Sequence, residues 1–331
     1  MSILLTGGAG FIGVHMAAKL LSHDMKFLVV DNLSNSDMTQ LEKLEVFFKK
    51  KITFLNCDIR DSYMLKKVFS ENEIESVVHF AGLKSVSESV KNSQLYFNNN
   101  VLGSKNLLDL VKKYKIKKFI FSSSATVYGE PKYLPIDEGH TLNATNPYAQ
   151  NKIDIENLMK SDSFFSDKCC TKILRYFNPV GALENGLIGE VPRGVPNNLV
   201  PYLLGVINGD YPYLKVYGDD YDTPDGSPIR DYIHIMDLID AHFLALQDTN
   251  QGVDILNVGN GMGHSVIQII KIFERTNNIK IPIKIMSRRK GDVESSYADN
   301  KKIIKKYNWK AKRGIDQICR DAYQFSQNQN L

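Results

Sequence analysis

Short apolar runs alternate with helix-like periodicity through the first half of the chain. Six runs have the length of strands and no polar alternation: residues 3–6, 27–30, 53–55, 76–80, 118–121 and 173–176. Between them, residues 11–21, 63–69 and 102–114 space their apolar positions as helices do. Runs without alternation are typical of strands covered on both faces. The pattern therefore predicts an α/β fold with a doubly wound parallel sheet.

The second half has a different texture. From about Asn178 onward prolines and glycines become frequent, which is typical of loops joining short elements. We expect residues 1–177, with a returning segment near 229–256, to form one domain. Residues 178–228 and 257–331 should form a smaller α/β C-terminal lobe.

Composition and charge exclude several classes of function. The chain has 331 residues, of which 43% are hydrophobic and 24% charged, with a formal net charge of +4. Its lysine clusters alternate with apolar residues and accompany no nucleic-acid recognition module, so no nucleic-acid partner is expected. No apolar run approaches a membrane span, and no metal-ligand spacing occurs. The four sparse cysteines favour a reducing cytoplasm.

A glycine-rich turn follows the first predicted strand and opens the first predicted helix. Gly7, Gly10 and Gly13 depart from the strict GxGxxG spacing. They still meet the needs of a dinucleotide site: a tight turn, close approach of a pyrophosphate and helix packing. Asp31 ends the second strand about 20 residues on, where a carboxylate binds ribose hydroxyls and repels a 2′-phosphate. The sequence thus predicts NAD as cofactor on a Rossmann-type sheet.

Ser124, Tyr148 and Lys152 carry the candidate chemistry. Ser124 follows the fifth run, at the strand end where open α/β sheets bind ligands. Tyr148 and Lys152 are spaced to share one helix face. A neighbouring ammonium and a positive nicotinamide should lower the tyrosine pKa, which is ordinarily about 10. We expect Tyr148 to accept an alcohol proton as a hydride leaves the same carbon. Ser124 would bond the reacting oxygen or relay the proton.

Longer segments resemble the extended short-chain dehydrogenase/reductase superfamily and, more narrowly, the UDP-glucose 4-epimerase family. The resemblance is carried by residues 79–84, 98–101, 121–129, 175–182 and 230–235. It implies an isomerase that holds NAD through its cycle and acts as a homodimer. Tyr148 would take the proton of the sugar 4-hydroxyl while the C4 hydride passes to NAD⁺. The 4-keto sugar would then rotate and accept the hydride on its other face.

The resemblance also implies the contacts to the cofactor. Besides Tyr148 and Lys152, the NAD-binding residues should be Gly7, Gly10, Phe11, Ile12, Gly13, Asp31, Asn32, Asp58, Ile59, Phe80, Ala81, Lys84, Asn99, Ser122, Tyr176 and Phe177.

The implied UDP-sugar contacts fall mostly in the C-terminal lobe. Arginine forks suit phosphate oxygens, and a tyrosine face suits a uracil ring. Besides Ser124 and Tyr148, the contacts are Asn178, Asn198 and Leu199 at the diphosphate and uridine, Lys215, Val216 and Tyr217 at the uracil, Arg230 and Arg289 at the phosphates, Asp292 at the ribose, and Ser296 at the sugar.

Ser296 departs from a common family pattern. Bacterial members restricted to glucose and galactose often carry a tyrosine at this position, whereas members with a small residue also accept N-acetylhexosamines. Serine opens volume beside the sugar, and pocket shape sets such selectivity. We expect UDP-GlcNAc and UDP-GalNAc to be interconverted as well as UDP-glucose and UDP-galactose, unless Tyr297 fills the gap.

Two alternatives remain. A sugar-nucleotide dehydratase would need an Asp-Glu pair after the strand-end hydroxyl, where this chain has Ala125 and Thr126. A non-enzymatic NAD-sensing protein would lack Tyr148 and Lys152. The sequence leaves open the preferred sugar, the oligomeric state, and whether the pathway serves galactose use or surface polysaccharide.

Overall fold

The computed structural model describes residues 2–289 and 291–329. Contacts divide them into two compact units. Unit 1 comprises the described residues up to 129 together with 141–175 and 239–256, and unit 2 comprises 130–140, 176–238 and the described residues from 257 onward. The outer limits of the expected domains, residues 1 and 331, lie outside the described residues, as does Lys290 of the segment before Ser296.

The strands occur in both halves of the chain. They are β1 (Ser2–Thr6), β2 (Phe27–Asp31), β3 (Thr53–Asn56), β4 (Ile74–His79), β5 (Lys118–Ser124), β6 (Cys170–Tyr176), β7 (Asn178–Val180), β8 (Leu214–Tyr217), β9 (Ile229–His234), β10 (Gly252–Val258), β11 (Gly263–Ser265), β12 (Ile283–Met286) and β13 (Ser295–Ser296).

Helices connect and cover these strands. They are α1 (Phe11–Ser22), α2 (Thr39–Phe48), α3 (Ser62–Glu71), α4 (Val86–Lys91), α5 (Ser93–Tyr96), α6 (Gly103–Lys113), α7 (Pro147–Ser161), α8 (Ser163–Asp167), α9 (Leu199–Ile207), α10 (Ile235–Gln247), α11 (Val266–Asn277), α12 (Lys301–Tyr307) and α13 (Ile315–Gln329).

A seven-stranded sheet in the order β10-β6-β5-β4-β1-β2-β3 forms the framework of unit 1. Parallel pairings join β1 to β2 and β4, β2 to β3, and β4 to β5. The strand centres are apolar and fully buried, as at Leu4 and Leu5 in β1 and Phe119 to Phe121 in β5. Helices cover both faces, so the predicted doubly wound parallel sheet is confirmed.

Local sequence explains where the helices of unit 1 begin. Asp61 precedes α3, and its carboxylate accepts the N–H groups of Tyr63 and Met64. Asn146 precedes α7 and accepts the N–H of Ala149 at 2.9 Å, with Pro147 in the first turn. Both are side chains preferred at helix starts because they satisfy otherwise free backbone N–H groups. The start of α7 sets the place of Tyr148 and Lys152.

A π-helical segment precedes the helix expected at residues 102–114. Residues Phe97–Leu102 form a π-helical segment, and the α-helix begins only at Gly103. The side chain of Asn100 accepts the N–H of Leu83 at 2.8 Å and donates to its carbonyl at 3.0 Å. The wider π turn is compatible with this anchorage, and such turns are frequent at functional sites. Apolar spacing alone could not reveal the extra residue in the turn.

Unit 2 has its own core. The strands β11, β9 and β13 form one sheet in which β7 also pairs with β9, and β12 pairs with β8 in a second sheet. Buried apolar residues of α9, α11 and α13, among them Leu203, Phe273 and Ile318, pack in one cluster. Ser265 and Gln268 form a reciprocal capping box at the start of α11. The strand β9 therefore joins β7, β11 and β13, which are far apart in the sequence.

The limits of the units differ from those expected of the domains. Tyr176, Phe177 and the first part of the expected returning segment, residues 229–238, belong to unit 2. So do residues 130–140, because Ile136 pairs with Ala298. The chain passes between the units inside β10 and α10, where no loop or composition change marks a boundary.

We expect Gly7→Ala to destabilise the protein by about 2 kcal/mol or more, because residues other than glycine pay about 1–2 kcal/mol at positive φ and a clash adds to this. Gly7 has a φ of +69°, and an added Cβ would lie 2.5 Å from the Ala81 nitrogen. Chemical denaturation measures the loss.

Gly209→Ala is the matched control. Its φ is +85°, but an added Cβ would meet nothing within 4 Å. Equal losses in the two variants would contradict the close approach of Gly7 to the segment after β4.

Candidate active site

The turn before α1 has the features of a diphosphate cradle. The Cβ of any residue replacing Gly13 would lie 2.4 Å from the Gly7 carbonyl oxygen, so only glycine permits this packing. Gly10 caps α1 without a side-chain hydrogen bond, and the first turn of α1 contains no acidic residue. The free N–H groups and the positive end of the helix dipole therefore suit a phosphate anion. Gly7, Gly10, Phe11, Ile12 and Gly13 fit the predicted cofactor in this respect.

Polar groups at the ends of β2 and β3 lie beside this turn. Asp31 accepts the N–H of Ala9 at 3.1 Å, the N–H of Leu33 at 2.9 Å and the hydroxyl of Ser36 at 3.0 Å. A carboxylate has about four acceptor positions, so Asp31 keeps capacity for a further donor such as a ribose hydroxyl. The amide of Asn32 donates to Asp58 at 2.8 Å.

Asp58 is held ionised. Hydrogen bonds from the Arg60 guanidinium are the largest cause that lowers the pKa of Asp58 to about 2. Its neighbour Ile59 is buried, and its side chain packs against Gly103 at the start of α6. Asp58 and Ile59 thus form a fixed rim at the carboxyl end of β3.

The segment after β4 is tied to the same edge of the sheet. The backbone of Phe80 and Ala81 approaches Gly7, and the Phe80 ring lies 5.2 Å from the ring of His242. Asn99, in the π-helical segment, donates to the side chain of Asn100 at 3.1 Å, and Asn100 in turn anchors Leu83. The predicted contacts Phe80, Ala81 and Asn99 therefore belong to connected segments, while Lys84 is exposed.

Ser124, Tyr148 and Lys152 converge at the end of β5, and all three are buried. The Lys152 ammonium donates to the carbonyl oxygen of Ser122 at 2.7 Å. It lies 4.7 Å from the ring centroid of Phe121 and 5.8 Å from that of Tyr148. Ser124 hydrogen-bonds the Tyr148 hydroxyl. The fold thus brings together the three residues that the sequence placed on a strand end and a helix face.

Two hydrogen bonds orient the Ser124 hydroxyl. Its oxygen accepts the N–H of Thr126 at 3.2 Å and the hydroxyl of Thr126 at 3.0 Å. Both come from the 3-10 turn Ala125–Tyr128 that follows β5. A serine hydroxyl carries a single proton. With its oxygen already an acceptor twice, Ser124 is set to donate to Tyr148 or to a substrate oxygen.

The pKa of Tyr148 differs from the sequence expectation. Burial raises the pKa of Tyr148 to about 12, and the hydrogen bond from Ser124 lowers it only in part. Burial also lowers the pKa of Lys152 to about 8, against an opposing effect of Glu156. The protein's own groups therefore leave the Tyr148 pKa above its ordinary value of about 10, whereas the sequence predicts a lowered pKa from Lys152 and the nicotinamide together.

A buried charge network lies behind these residues, and sequence reasoning missed it. Glu156 accepts the hydroxyl of Ser123 at 2.7 Å and pairs with the guanidinium of Arg175. The spacing from Lys152 to Glu156 was a usable signal, because it repeats the interval from Tyr148 to Lys152 on the same helix face. Arg175 lies in β6, and no local pattern joins it to α7.

In unit 2, two predicted substrate residues bond each other. The Arg230 guanidinium forms an ion pair with the carboxylate of Asp292. Arg230 also donates to the carbonyl of Ile229 at 2.8 Å. Both side chains remain partly exposed. The pair fixes the direction of the guanidinium at the end of β13, which lies beside β9.

A second arginine, Arg289, stacks on the ring of Tyr217, a predicted uracil contact. The guanidinium carbon of Arg289 lies 3.8 Å from the ring centroid of Tyr217, and that of Arg288 lies 4.1 Å from the ring of Tyr221. Lys215, Val216 and Tyr217 form β8, which pairs with β12 just before the arginines. The structure therefore brings Arg289 and Tyr217 together as a stacked pair.

The remaining predicted substrate residues lie at element ends of unit 2. Asn178 begins β7 and is exposed, and Asn198 caps α9 ahead of Leu199. Ser296 is half-buried in β13, with Arg230 as its register partner. The Tyr297 ring, which follows β13, packs near Gly263.

Two negative observations hold for residues 2–289 and 291–329. No group of three or more histidine, cysteine, aspartate or glutamate side chains could hold a metal ion there. None of the helices in that part of the chain combines the length and apolar character needed to cross a bilayer.

Comparison with known proteins agrees with this geometry. A sequence model of the family described as GDP-mannose 4,6 dehydratase matches residues 4–322. The UDP-glucose 4-epimerase of Pasteurella multocida is 46% identical over 326 residues, which cover 98% of this chain and 96% of that protein.

Solved structures are similar over the whole chain. The UDP-glucose 4-epimerase from Bifidobacterium longum, in complex with NAD⁺ and UDP, superposes with a TM-score of 0.96 at 42% identity and covers 100% of this chain and 99% of its own. The UDP-Glc/GlcNAc 4-epimerase from Campylobacter jejuni has a TM-score of 0.84 at 32% identity, with 99% of each chain covered.

Proposed function

This chain belongs to the UDP-glucose 4-epimerase family, and we propose that it epimerises UDP-N-acetylhexosamines as well as UDP-hexoses. Its relatives of that name match almost end to end, and its structural neighbours hold NAD and UDP-sugars. The protein is therefore an NAD-dependent isomerase that interconverts UDP-glucose and UDP-galactose. The observation that carries this function is the convergence of Ser124, Tyr148 and Lys152 at the end of β5, in the unit that holds the glycine cradle.

The geometry of unit 1 supports the role that we propose for each residue. Tyr148 removes the proton of the sugar 4-hydroxyl and later returns it, and Ser124 bonds the reacting oxygen through the proton that it donates to Tyr148 when no substrate is bound. Bound NAD⁺ supplies the hydride acceptor and donor and adds a positive charge that favours the phenolate. Lys152 donates to the Ser122 carbonyl and contributes its own charge. These positive charges must offset the burial that raises the Tyr148 pKa to about 12.

The dehydratase alternative is disfavoured by the residues after Ser124. Elimination of water needs an added acid and base at this point. Ala125 has no polar side chain, and the Thr126 hydroxyl donates to Ser124. The family model bears the name of a dehydratase, but the full-length relatives are epimerases. A non-enzymatic NAD sensor would not need the buried Tyr148 and Lys152.

Unit 2 supplies groups suited to UDP. Arg230 and Arg289 carry guanidinium forks for phosphate oxygens, and Tyr217 offers a ring face for the base. Asp292 already holds Arg230, so a ribose hydroxyl would add to an existing ion pair. Asn178, Asn198 and Leu199 complete the proposed contacts.

The N-acetyl specificity rests on Ser296. A serine leaves space that a tyrosine would fill, and Tyr297 packs near Gly263. A structural neighbour from Campylobacter jejuni is described as a UDP-Glc/GlcNAc 4-epimerase. Product analysis with UDP-glucose, UDP-galactose, UDP-GlcNAc and UDP-GalNAc, without added NAD, tests the proposal. No turnover of the N-acetyl pair by an enzyme active on the hexose pair would contradict it.

Replacing Tyr148 by Phe should lower kcat by about 10²- to 10⁴-fold, the usual contribution of a general base. The variant should retain as much NAD as the wild type, because the glycine cradle is intact. Adding UDP-glucose to the wild-type protein should raise the absorbance of reduced nicotinamide, and the variant should show a much slower rise. Normal turnover by the variant would exclude Tyr148 as the base.

Ser296→Tyr should reduce kcat/KM for UDP-GlcNAc by at least about tenfold, because an aromatic ring removes the volume that an acetamido group needs. Activity on UDP-glucose should change far less. Ser295→Tyr, at the neighbouring position on the opposite face of β13, is the matched control. An equal loss for both sugars in Ser296→Tyr would argue against a role in sugar selection.

We also propose a cytoplasmic homodimer. Cys57, Cys169, Cys170 and Cys319 are buried free thiols, as a reducing compartment allows. The helix α5 and the π-helical segment expose Leu95, Phe97 and Leu102 at 43%, 38% and 43%. Exposed large apolar side chains close together in sequence are compatible with an interface.

Light scattering should give twice the chain mass for the wild type, and Leu95→Glu should shift the protein toward the monomer because it buries a charge in the interface. Ile285→Glu, at a comparably exposed residue of unit 2, is the control. A monomeric wild type would refute the dimer.

A further inference from the structure

A buried ion pair lies one helical turn beyond Lys152. Glu156 follows Lys152 on the same face of α7 and is fully buried, and Arg175 in β6 is 2% exposed. The Arg175 Nε donates to Glu156 Oε1 at 2.9 Å, and Nη2 donates to Oε2 at 2.5 Å. Two parallel charge-assisted hydrogen bonds fix both distance and direction. The pair therefore joins α7 to β6 rigidly.

The same pair reaches the segment that carries Ser124. The Ser123 hydroxyl donates to Glu156 Oε1 at 2.7 Å. The Arg175 Nη1 donates to the hydroxyl oxygen of Tyr128 at 3.1 Å, and the guanidinium lies 5.0 Å from the centroid of that ring. Ser123 precedes Ser124, and Tyr128 ends the turn that follows it. Glu156 and Arg175 thus hold this segment from both sides.

The Glu156–Arg175 pair also affects the protonation of Lys152, which several titratable and charged groups surround. Tyr148 and Glu156 of α7 face the Lys152 ammonium. His79 of β4 is kept neutral, because burial and the charge of Lys152 lower the pKa of His79 to about 3. His242 of α10 bonds the Ser122 hydroxyl at 2.9 Å. Arg175 adds a positive charge behind Glu156. Burial lowers the pKa of Lys152, and the negative charge of Glu156 raises it.

Arg175 also restrains Glu156. A free carboxylate one turn from a buried ammonium would compete with the Ser122 carbonyl for it. Glu156 accepts two hydrogen bonds from Arg175 and one from Ser123, while the Lys152 ammonium bonds the Ser122 carbonyl at 2.7 Å. The carboxylate therefore acts on Lys152 through its field, without displacing it.

We propose that Glu156 and Arg175 are a positioning pair: together they hold the Ser124 segment against α7, and Glu156 keeps Lys152 charged in the presence of the Arg175 cation. This inference rests on the proposed function, in which the charged form of Lys152 assists Tyr148. Neither residue contacts the reacting atoms in this role. Their effect on catalysis passes through Ser123, Tyr128 and Lys152.

Three variants separate charge from geometry. Glu156→Gln leaves Arg175 and Lys152 as two buried cations, so the alkaline limb of the kcat profile for UDP-glucose should move to lower pH by about one unit. The double variant Glu156→Gln with Arg175→Met removes both charges and should return the limb toward the wild-type position. Arg175→Lys keeps the charge but loses the fork, so kcat should fall several-fold with the limb unmoved.

An ion pair on the opposite face of β6 provides the matched control. The Lys172 ammonium is buried and pairs with Asp254 at 2.6 Å. Lys172 and Arg175 point to opposite faces of the strand. Asp254→Asn therefore removes a carboxylate that also pairs with a buried cation but does not face Lys152. Its alkaline limb should coincide with that of the wild type.

Thermal unfolding gives a readout that needs no activity. Lys152 has a pKa of about 8 in the folded protein, below its ordinary value of 10.5. Its contribution to stability is therefore full above the ordinary pKa and is lost as the pH falls through about 8. Subtracting the Tm profile of Lys152→Met isolates this contribution. In the Glu156→Gln background, the loss should occur at lower pH.

The outcomes are distinct. A limb and a thermal profile of Glu156→Gln that both match the wild type would overturn the proposal, as would a double variant shifted further than Glu156→Gln. Should Glu156→Gln fail to fold, Arg175→Met still decides, because it leaves the negative charge of Glu156 without the opposing cation and should move the alkaline limb to higher pH, whereas a structural role alone predicts slower turnover with an unchanged limb. A wild type without epimerase activity would refute the proposed function. The Tm profiles would still test whether Glu156 affects the pKa of Lys152.

Discussion

The hydrogen bond from Lys152 to the Ser122 carbonyl places a cation inside the core of unit 1. It joins the first half of α7 to the end of β5, the two elements that carry Tyr148 and Ser124. A buried ammonium with a neutral acceptor is costly. The surrounding structure reflects this cost, since the Phe121 ring face lies under the ammonium and the carboxylate of Glu156 lies one turn away. The depressed pKa of Lys152 shows that the cost is offset only in part.

The cofactor side of unit 1 follows a different rule, which is close packing of backbone. Gly7 and Gly13 allow the turn before α1 to approach the segment after β4 at distances that a side chain would block. The side chain of Asn100 fixes that segment by hydrogen bonds to both the N–H and the carbonyl oxygen of Leu83. The result is a row of strand ends with little freedom to adjust. Such preorganised donors favour developing charge without a further cost of reordering.

Unit 2 depends on its central strand, β9. Asp231 is buried in it and accepts the N–H groups of Asn260, Gly261 and Ala298 at 2.7, 2.9 and 3.1 Å. These bonds tie β9 to the residues after β10 and after β13. Arg230 and Ser296, the proposed phosphate and sugar contacts, are register partners on the strands so joined. Burial raises the pKa of Asp231 to about 6, and the hydrogen bonds from these backbone N–H groups lower it only in part.

The sequence by itself determined the sheet, the glycine turn and the residues of the proposed chemistry. Each of these depends on local rules: unbroken apolar runs in buried strands, glycine at a turn, and a fixed interval along one helix face. The longer motifs narrowed the chemistry to epimerisation because they repeat a family's pattern at several places. The loss of an acid pair after Ser124 and the serine at position 296 could likewise be read without coordinates.

Only the tertiary structure decided what lies around those residues. The Glu156–Arg175 pair joins a helix to a strand that follows it, and the Asn100 anchor joins two segments through an unforeseen π turn. Neither contact has a local signature, because the partners meet only after the sheet has formed. The Tyr148 pKa shows the same limit. The sequence supplied the lysine, but burial decided that the protein alone raises that pKa.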